Sequence, residues 1–257
     1  MIYITGDTHG NIDMFPKLNT KNFPQQKEMT KDDILIVAGD FGVPWGDEKL
    51  DKHLIQEYNK RNFTTCFVDG NHDNFDILNS LPTERWHGGN IHRVSDSIVH
   101  MMRGEIYDIE GYSFWTFGGA RSHDIQGGIL ELTDPMFREK KKHLDHMWNM
   151  TRSMRYTYRI NHKEWWKEEM PTSEEMEYGW ENLKNHNFKV DFIITHCPPT
   201  NIIAQMGMHG SDDLSDYLQK VKQMTDFKQW YFGHMHVDRP FYWERTIGIY
   251  NNITRLI

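Results

Sequence analysis

Five short apolar runs, each broken off by the same few polar residues, constrain this chain more than any other feature. Ile2-Tyr3-Ile4 stops at Thr5-Gly6-Asp7, and Ile34-Leu35-Ile36-Val37 stops at Ala38-Gly39-Asp40. Thr65-Cys66-Phe67-Val68 stops at Asp69-Gly70-Asn71-His72, Phe192-Ile193-Ile194 at Thr195-His196, and Trp230-Tyr231-Phe232 at Gly233-His234. Unbroken apolar runs of this length suit strands buried on both faces of a sheet. Open α/β sheets place ligand sites beyond the carboxyl ends of such strands, so the polar residues that end the runs are the candidates for chemistry.

Helical patterns fill the intervals. Residues 47–61 carry Leu50, Leu54, Ile55 and Tyr58 at helical spacing, and 212–224 carry Leu214, Leu218, Val221 and Met224. Thr172-Ser173-Glu174-Glu175 after Pro171 reads as a capping box opening a helix to about Asn185. Between 90 and 118 the pattern turns antiparallel, with Gly104 and Gly111 at expected turns, and Phe241-Tyr242-Trp243 with Ile247-Gly248-Ile249 reads as a final hairpin. The expectation is one α/β domain over residues 1–257 with two sheet regions. Residues 125–157, rich in Met, Lys, Arg and His, are expected to form a helical insertion, the candidate lid or subunit contact.

A net charge of -8 argues against general nucleic-acid binding. An anionic substrate must then be drawn by something local, and bound cations would do this. Cys66 and Cys197 are the two cysteines, too few for a disulfide framework or a thiolate zinc site. The N-terminus enters a strand pattern at once, and no apolar run approaches the roughly 20 residues of a spanning helix. The expected compartment is the cytoplasm, with no membrane partner.

Taken together, the run ends present Asp7, His9, Asp40, Asn71, His72, His196, His234 and His236. Asp7/His9 and His234/His236 are each two apart, so extended or loop backbone can aim both members at one point. Carboxylate oxygen, amide oxygen and imidazole nitrogen suit Mn, Fe, Zn, Co or Mg. A carboxylate such as Asp40 can bridge two dications about 3.5–4 Å apart, and such ions make hydroxide available near neutral pH. Singly, Asp7 and His9 could cap a helix and His196 could be a hydrogen-bonded core histidine. The ordered set favours metals.

This series resembles the calcineurin-like metallophosphoesterases, whose pattern is DxH, GD, GNH[DE], a lone His, and GHxH. Here these stand as Asp7-Thr8-His9, Gly39-Asp40, Gly70-Asn71-His72-Asp73, Thr195-His196 and Gly233-His234-Met235-His236, in order across nearly the whole chain. The resemblance implies two mixed β-sheets packed face to face as a sandwich flanked by helices. It implies one divalent ion on Asp7, His9, Asp40 and His236, and a second on Asp40, Asn71, His196 and His234. Manganese is the first choice of metal, with Fe, Zn, Ni, Co and Mg as alternatives. His72 matches the histidine that contacts the phosphate and is usually proposed as the acid for the leaving oxygen. The implied function is hydrolysis of phosphomonoesters and/or phosphodiesters by a metal-bridging hydroxide, on a small phosphorylated substrate, nucleotides included. The competing readings are a turnover-free binding module, although no ligand is lost, and a nuclease, which the acidic balance weakens.

A narrower resemblance to compact bacterial and phage members covers Phe117-Gly118-Gly119-Ala120-Arg121-Ser122-His123-Asp124, Tyr158-Arg159 and Trp165 to Pro171. About thirty residues intervene here where those members have almost none, so an oligomer through 125–157 is an expectation of this chain alone. The segment Asp40-Phe41-Gly42-Val43-Pro44-Trp45-Gly46 lacks the arginine that protein phosphatases carry after GD. Asp73 could orient His72 or cap the following helix. Ser122, Asp124 and Arg159 could reach substrate or hold a turn and an ion pair.

Overall fold

The computed structural model describes residues 1–10, 16–208 and 210–257. The apolar runs become β1 (Ile2–Thr5), β2 (Ile34–Val37) and β3 (Thr64–Phe67), followed by β4 (Thr83–Trp86), β5 (Gly89–Ser95) and β6 (Ile98–Met101). Next come β7 (Ile106–Ile109), β8 (Tyr112–Phe117), β9 (Ile129–Leu130) and β10 (Arg159–Ile160). The last strands are β11 (Phe192–Thr195), β12 (Gln229–Phe232), β13 (Arg239–Phe241), β14 (Thr246–Gly248) and β15 (Thr254–Arg255). Six helices accompany them among the described residues: α1 (Glu48–Asn59), α2 (Phe75–Leu78), α3 (Phe137–Thr151), α4 (Ser173–Asn185), α5 (Thr200–Gln205) and α6 (Asp213–Met224).

The first sheet has the order β15-β1-β2-β3-β6-β5-β4 and the second β13-β14-β12-β11-β8-β7. In each, four central strands run parallel and the outer pairings are antiparallel. The chain passes from one sheet to the other between β6 and β7, where Gly104 takes φ +76° with its backbone against Gly179.

Side chains alternate across each strand, so one face of each sheet fills a shared core. Ile4, Ile36, Cys66 and Val99 of the first sheet meet Phe114, Ile194 and Tyr231 of the second. The opposite residues face outward to helices: Leu35, Val37 and Phe67 pack on Leu54 and Tyr58 of α1. Trp115, Ile193 and Trp230 pack on Leu183 of α4 and on Leu214, Leu218 and Val221 of α6. Both-face burial explains the unbroken apolar runs. Each fully buried Ile, Leu or Phe contributes about 1.5–3 kcal/mol, so a polar residue inside these runs would be costly.

Helix starts follow local chemistry. Thr172 and Glu175 form the expected capping box, and the Asp47 carboxylate accepts the Lys49 and Leu50 amides at the start of α1. The apolar stripes reach too far at two points, since Leu50 and Met224 are exposed. The final hairpin is also shorter than expected. Tyr242 and Trp243 leave the sheet in a tight 3-10 turn closed by Arg245 at φ +48°, and stand exposed. Residues 125–157 hold β9, which pairs with β10, and α3, whose Glu139, Lys140 and Lys142 face solvent. Among the described residues no helix is long and apolar enough to cross a membrane.

Candidate metal centre

Because β1, β2 and β3 are parallel, as are β11 and β12, their polar ends gather at one edge of the sandwich. Asp40 stands at the middle. Its Oδ1 lies 3.3 Å from His196 Nε2 and accepts the His72 amide at 2.8 Å, while its Oδ2 is 3.9 Å from His9 Nδ1. His196 Nε2 is also 3.3 Å from Asn71 Oδ1. On the other side, Asp7 Oδ2 is 3.0 Å from His236 Nε2, and the Nε2 atoms of His9 and His236 are 3.3 Å apart. Asp7 Oδ1 accepts the His234 amide at 3.2 Å, and the His196 and His234 rings lie 5.0 Å apart. The structure thus brings all eight expected residues to one place.

The backbone is bent to achieve this. His9, Asp40, His234 and His236 all have left-handed φ, between 48° and 62°. Such conformations cost of order 1–3 kcal/mol each in non-glycine residues and cluster at functional sites. Loop-to-loop bonds hold them: the Thr8 and His9 amides donate to Asp40 O at 3.1 and 2.8 Å, and Gly10 N donates to Phe41 O at 2.6 Å. Close approach also requires glycine. A Cβ on Gly39 would fall 2.0 Å from His196 Nδ1, and one on Gly70 would fall 2.1 Å from Asp40 Oδ1.

Two features test whether these residues suit cations. His196 Nδ1 lies 2.8 Å from Ala38 O, which commits its N–H there and aims the Nε2 lone pair at the oxygens of Asp40 and Asn71. Three acceptors then face one point, which only a proton or a cation can reconcile. Burial disfavours a charged His196, but the Asp40 carboxylate outweighs it and lifts the ring to about 10, so without ions a proton sits at that point. The second feature is Asp7 Oδ2, buried with no hydrogen-bond partner among the described residues. Its 3.0 Å approach to His236 lacks hydrogen-bond alignment, as expected of two groups sharing an ion. Burial keeps His9 and His234 below the usual histidine range, leaving neutral rings suited to ligation. Sets of Asp7, His9 and His236, and of Asp7, Asp40 and His196, each converge within 4.8 Å.

The sequence model of the calcineurin-like phosphoesterases matches residues 1–238, from the first strand to just past His236. The chain belongs to that family. A search of the curated proteins returns no match. The family's chemistry is metal-dependent hydrolysis of phosphoric esters, and its divalent ions find candidate ligands in the clusters just described.

Several supporting residues were not read from sequence. Lys17 is buried and its Nζ donates to the carbonyls of Gly6, Asp7 and Tyr250 at 2.6–2.8 Å, fixing the turn that carries Asp7. Tyr250, beyond the family match, stacks on His236 with centroids 4.4 Å apart. His123 Nε2 reaches 3.1 Å from His234 Nε2. Asp73 takes neither expected role: its carboxylate accepts the Gly42 and Gly70 amides at 2.7 and 2.8 Å, tying the Asp40 loop to the Asn71 loop. Burial and the nearby Asp40 charge push Asp73 up to about 7 against those two bonds. Asn74 caps α2 instead.

Ser122 touches Asn71, not solvent. Asn71 Nδ2 donates to Ser122 Oγ at 3.2 Å, and Ser122 Oγ donates to the buried Glu169 Oε2 at 2.5 Å. This order of donors turns the Asn71 carbonyl oxygen toward His196. Asp124 and Arg159 form an ion pair. Trp166 is buried and donates to Asp76, and Cys197 is a buried thiol.

Proposed function

We propose that this chain hydrolyses phosphomonoesters and/or phosphodiesters at a dinuclear centre. Asp7, His9, Asp40 and His236 hold one divalent ion; Asp40, Asn71, His196 and His234 hold the other, with manganese the first choice. The observation that carries this reading is the convergence of His196 Nε2, Asp40 Oδ1 and Asn71 Oδ1 on one point, with His196 Nδ1 committed to Ala38 O. When bound, the ions supply local positive charge for an anionic ester and the acidity that makes a water nucleophilic near neutral pH.

The protein's own groups do the rest. Asp40, with its backbone strained and its Oδ1 held by the His72 amide, presents a carboxylate fixed before substrate arrives. Asn71, turned by Ser122, presents its oxygen to the centre and serves there to orient the phosphate. His72 stands beside His9, ring centroids 5.6 Å apart, as the group that protonates the leaving oxygen. The chain's net charge of -8 and its compact cluster fit a small phosphorylated substrate in preference to a long nucleic acid.

Protein purified with its metals and assayed with p-nitrophenyl phosphate and bis-p-nitrophenyl phosphate in added manganese should turn over at least one of them. Asp40→Asn should abolish turnover and lower metal content by elemental analysis. Activity that survives thorough chelation, or survives in Asp40→Asn, would sink the reading.

A further inference from the structure

Beside the candidate metal centre lies a cavity of about 330 Å3 that the steps above leave without a role. His9 and His72 form one side of it, and Trp45, Leu50, His53 and Leu54, from the loop after β2 and the first turns of α1, line the rest. The described residues that line it include no Asp, Glu, Lys or Arg. Its volume lies at the small end of ligand pockets, roughly 300–1,000 Å3, which suits one ring system and not a peptide or an oligonucleotide.

The wall is built, not incidental. The buried Asp51 carboxylate accepts the Trp45 and Gly46 amides at 2.8 and 2.7 Å, and Asn74 Nδ2 donates to Trp45 O at 2.8 Å. The Trp45 ring is braced edge-on against Trp166, with centroids 5.5 Å apart. Leu50 follows the helical apolar pattern yet is 46% exposed, because its side chain borders this cavity and not the core.

We infer that the cavity receives the organic group of the ester, and that this group is an uncharged aromatic ring. The inference rests on the phosphoesterase reading. His72, the group assigned to the leaving oxygen, is part of the cavity's own wall, so an ester seated at the metals directs its leaving group there. Trp45 supplies an aromatic surface and Leu50 and Leu54 supply apolar ones. A charged leaving group would lose its water with no counter-ion among the described residues that line the cavity.

The test compares benzyl phosphate with ethyl phosphate, and benzyl methyl phosphate with ethyl methyl phosphate, following release of benzyl alcohol or ethanol. Benzyl alcohol and ethanol are similarly acidic, so the bond-breaking step is matched within each pair. The benzyl ester should be favoured in kcat/KM by about tenfold or more. Leu50→Glu, at an exposed position, should bring that ratio toward one. Ligand-observed NMR should show benzyl alcohol binding to the protein as purified and losing that binding in Leu50→Glu. A nucleoside 5′-phosphate assayed alongside separates a nucleobase from a simple aryl group by its relative kcat/KM. Hydrolysis with a benzyl-to-ethyl ratio near one, or a ratio that Leu50→Glu leaves unchanged, overturns the inference and leaves the phosphoesterase reading standing. Absence of all hydrolysis overturns that reading, and benzyl alcohol binding then decides the cavity alone.

Discussion

Ser122→Ala separates the orientation of Asn71 from the mere packing of its loop. The substitution removes two hydrogen bonds: the 3.2 Å bond from Asn71 Nδ2 and the 2.5 Å bond to Glu169 Oε2. A neutral hydrogen bond contributes about 0.5–1.5 kcal/mol and one to a charged group about 1.5–3. The protein should therefore lose about 2–4 kcal/mol of stability, with the Glu169 carboxylate keeping only the Ser122 amide at 2.9 Å. The larger consequence falls on the ions. Without Ser122 Oγ, the Asn71 NH2 loses the acceptor that holds it away from the centre, and turning that NH2 toward a cation is repulsive. Loss of a group that orients a ligand typically weakens metal affinity by about 10–100-fold. Competition against a chromophoric chelator, monitored for each ion in turn, should show one ion weakened by this amount and the other retained. Glu169→Gln made alone, which still offers an oxygen to the Ser122 hydroxyl, should retain most of the affinity. If Ser122→Ala binds both ions as tightly as wild type while losing stability, the pair is a structural tie and the orientation argument is refuted.

Two further outcomes follow from crowding and burial. Gly70→Ala places a methyl group 2.1 Å from Asp40 Oδ1 and 2.4 Å from its backbone nitrogen, so the backbone must shift. A loss of about 1–3 kcal/mol and a lowered metal content should appear together in thermal melts and elemental analysis; full metal loading would refute the close-approach account. His92 is held at about 4, first by burial and then by the neighbouring His100, whose Nδ1 is 3.1 Å away, with Asp69 opposing. Its folded pKa lies below the unfolded value, so this contribution is fully present above about pH 6.5 and is lost as pH falls toward 4. His92→Gln should flatten the fall in urea midpoint between pH 7.5 and 5, and an unchanged slope would show that other groups set it.

The parts of this protein legible in its sequence are those where one physical cause leaves a local mark. Burial on both faces leaves an unbroken apolar run, which placed β1, β2, β3, β11 and β12 and hence the polar ends beyond them. A capping box marks the start of α4 in the same way. What escaped reading depends on partners distant along the chain. Lys17 looks like any solvated lysine until the carbonyls of Gly6, Asp7 and Tyr250 surround it. Glu169 gains its meaning from Ser122, 47 positions earlier. Thr254–Arg255 has no apolar run because β15 is held by backbone pairing at a sheet edge. Tyr242 and Trp243 look like strand residues by type, yet the register of β13 on β14 ends at Phe241, which pairs with Thr246.

The passage between sheets at Gly104 divides the chain in a way that bears on assembly. Every strand of the first sheet except β15 precedes that crossing, and every strand of the second follows it. Asp7, His9, Asp40 and Asn71 therefore belong to the early half, and His196, His234 and His236 to the late half. Neither half alone carries all four residues proposed for either ion. As the chain emerges during synthesis, each proposed ion site is completed last, and a bound ion would clasp together two halves made at different times.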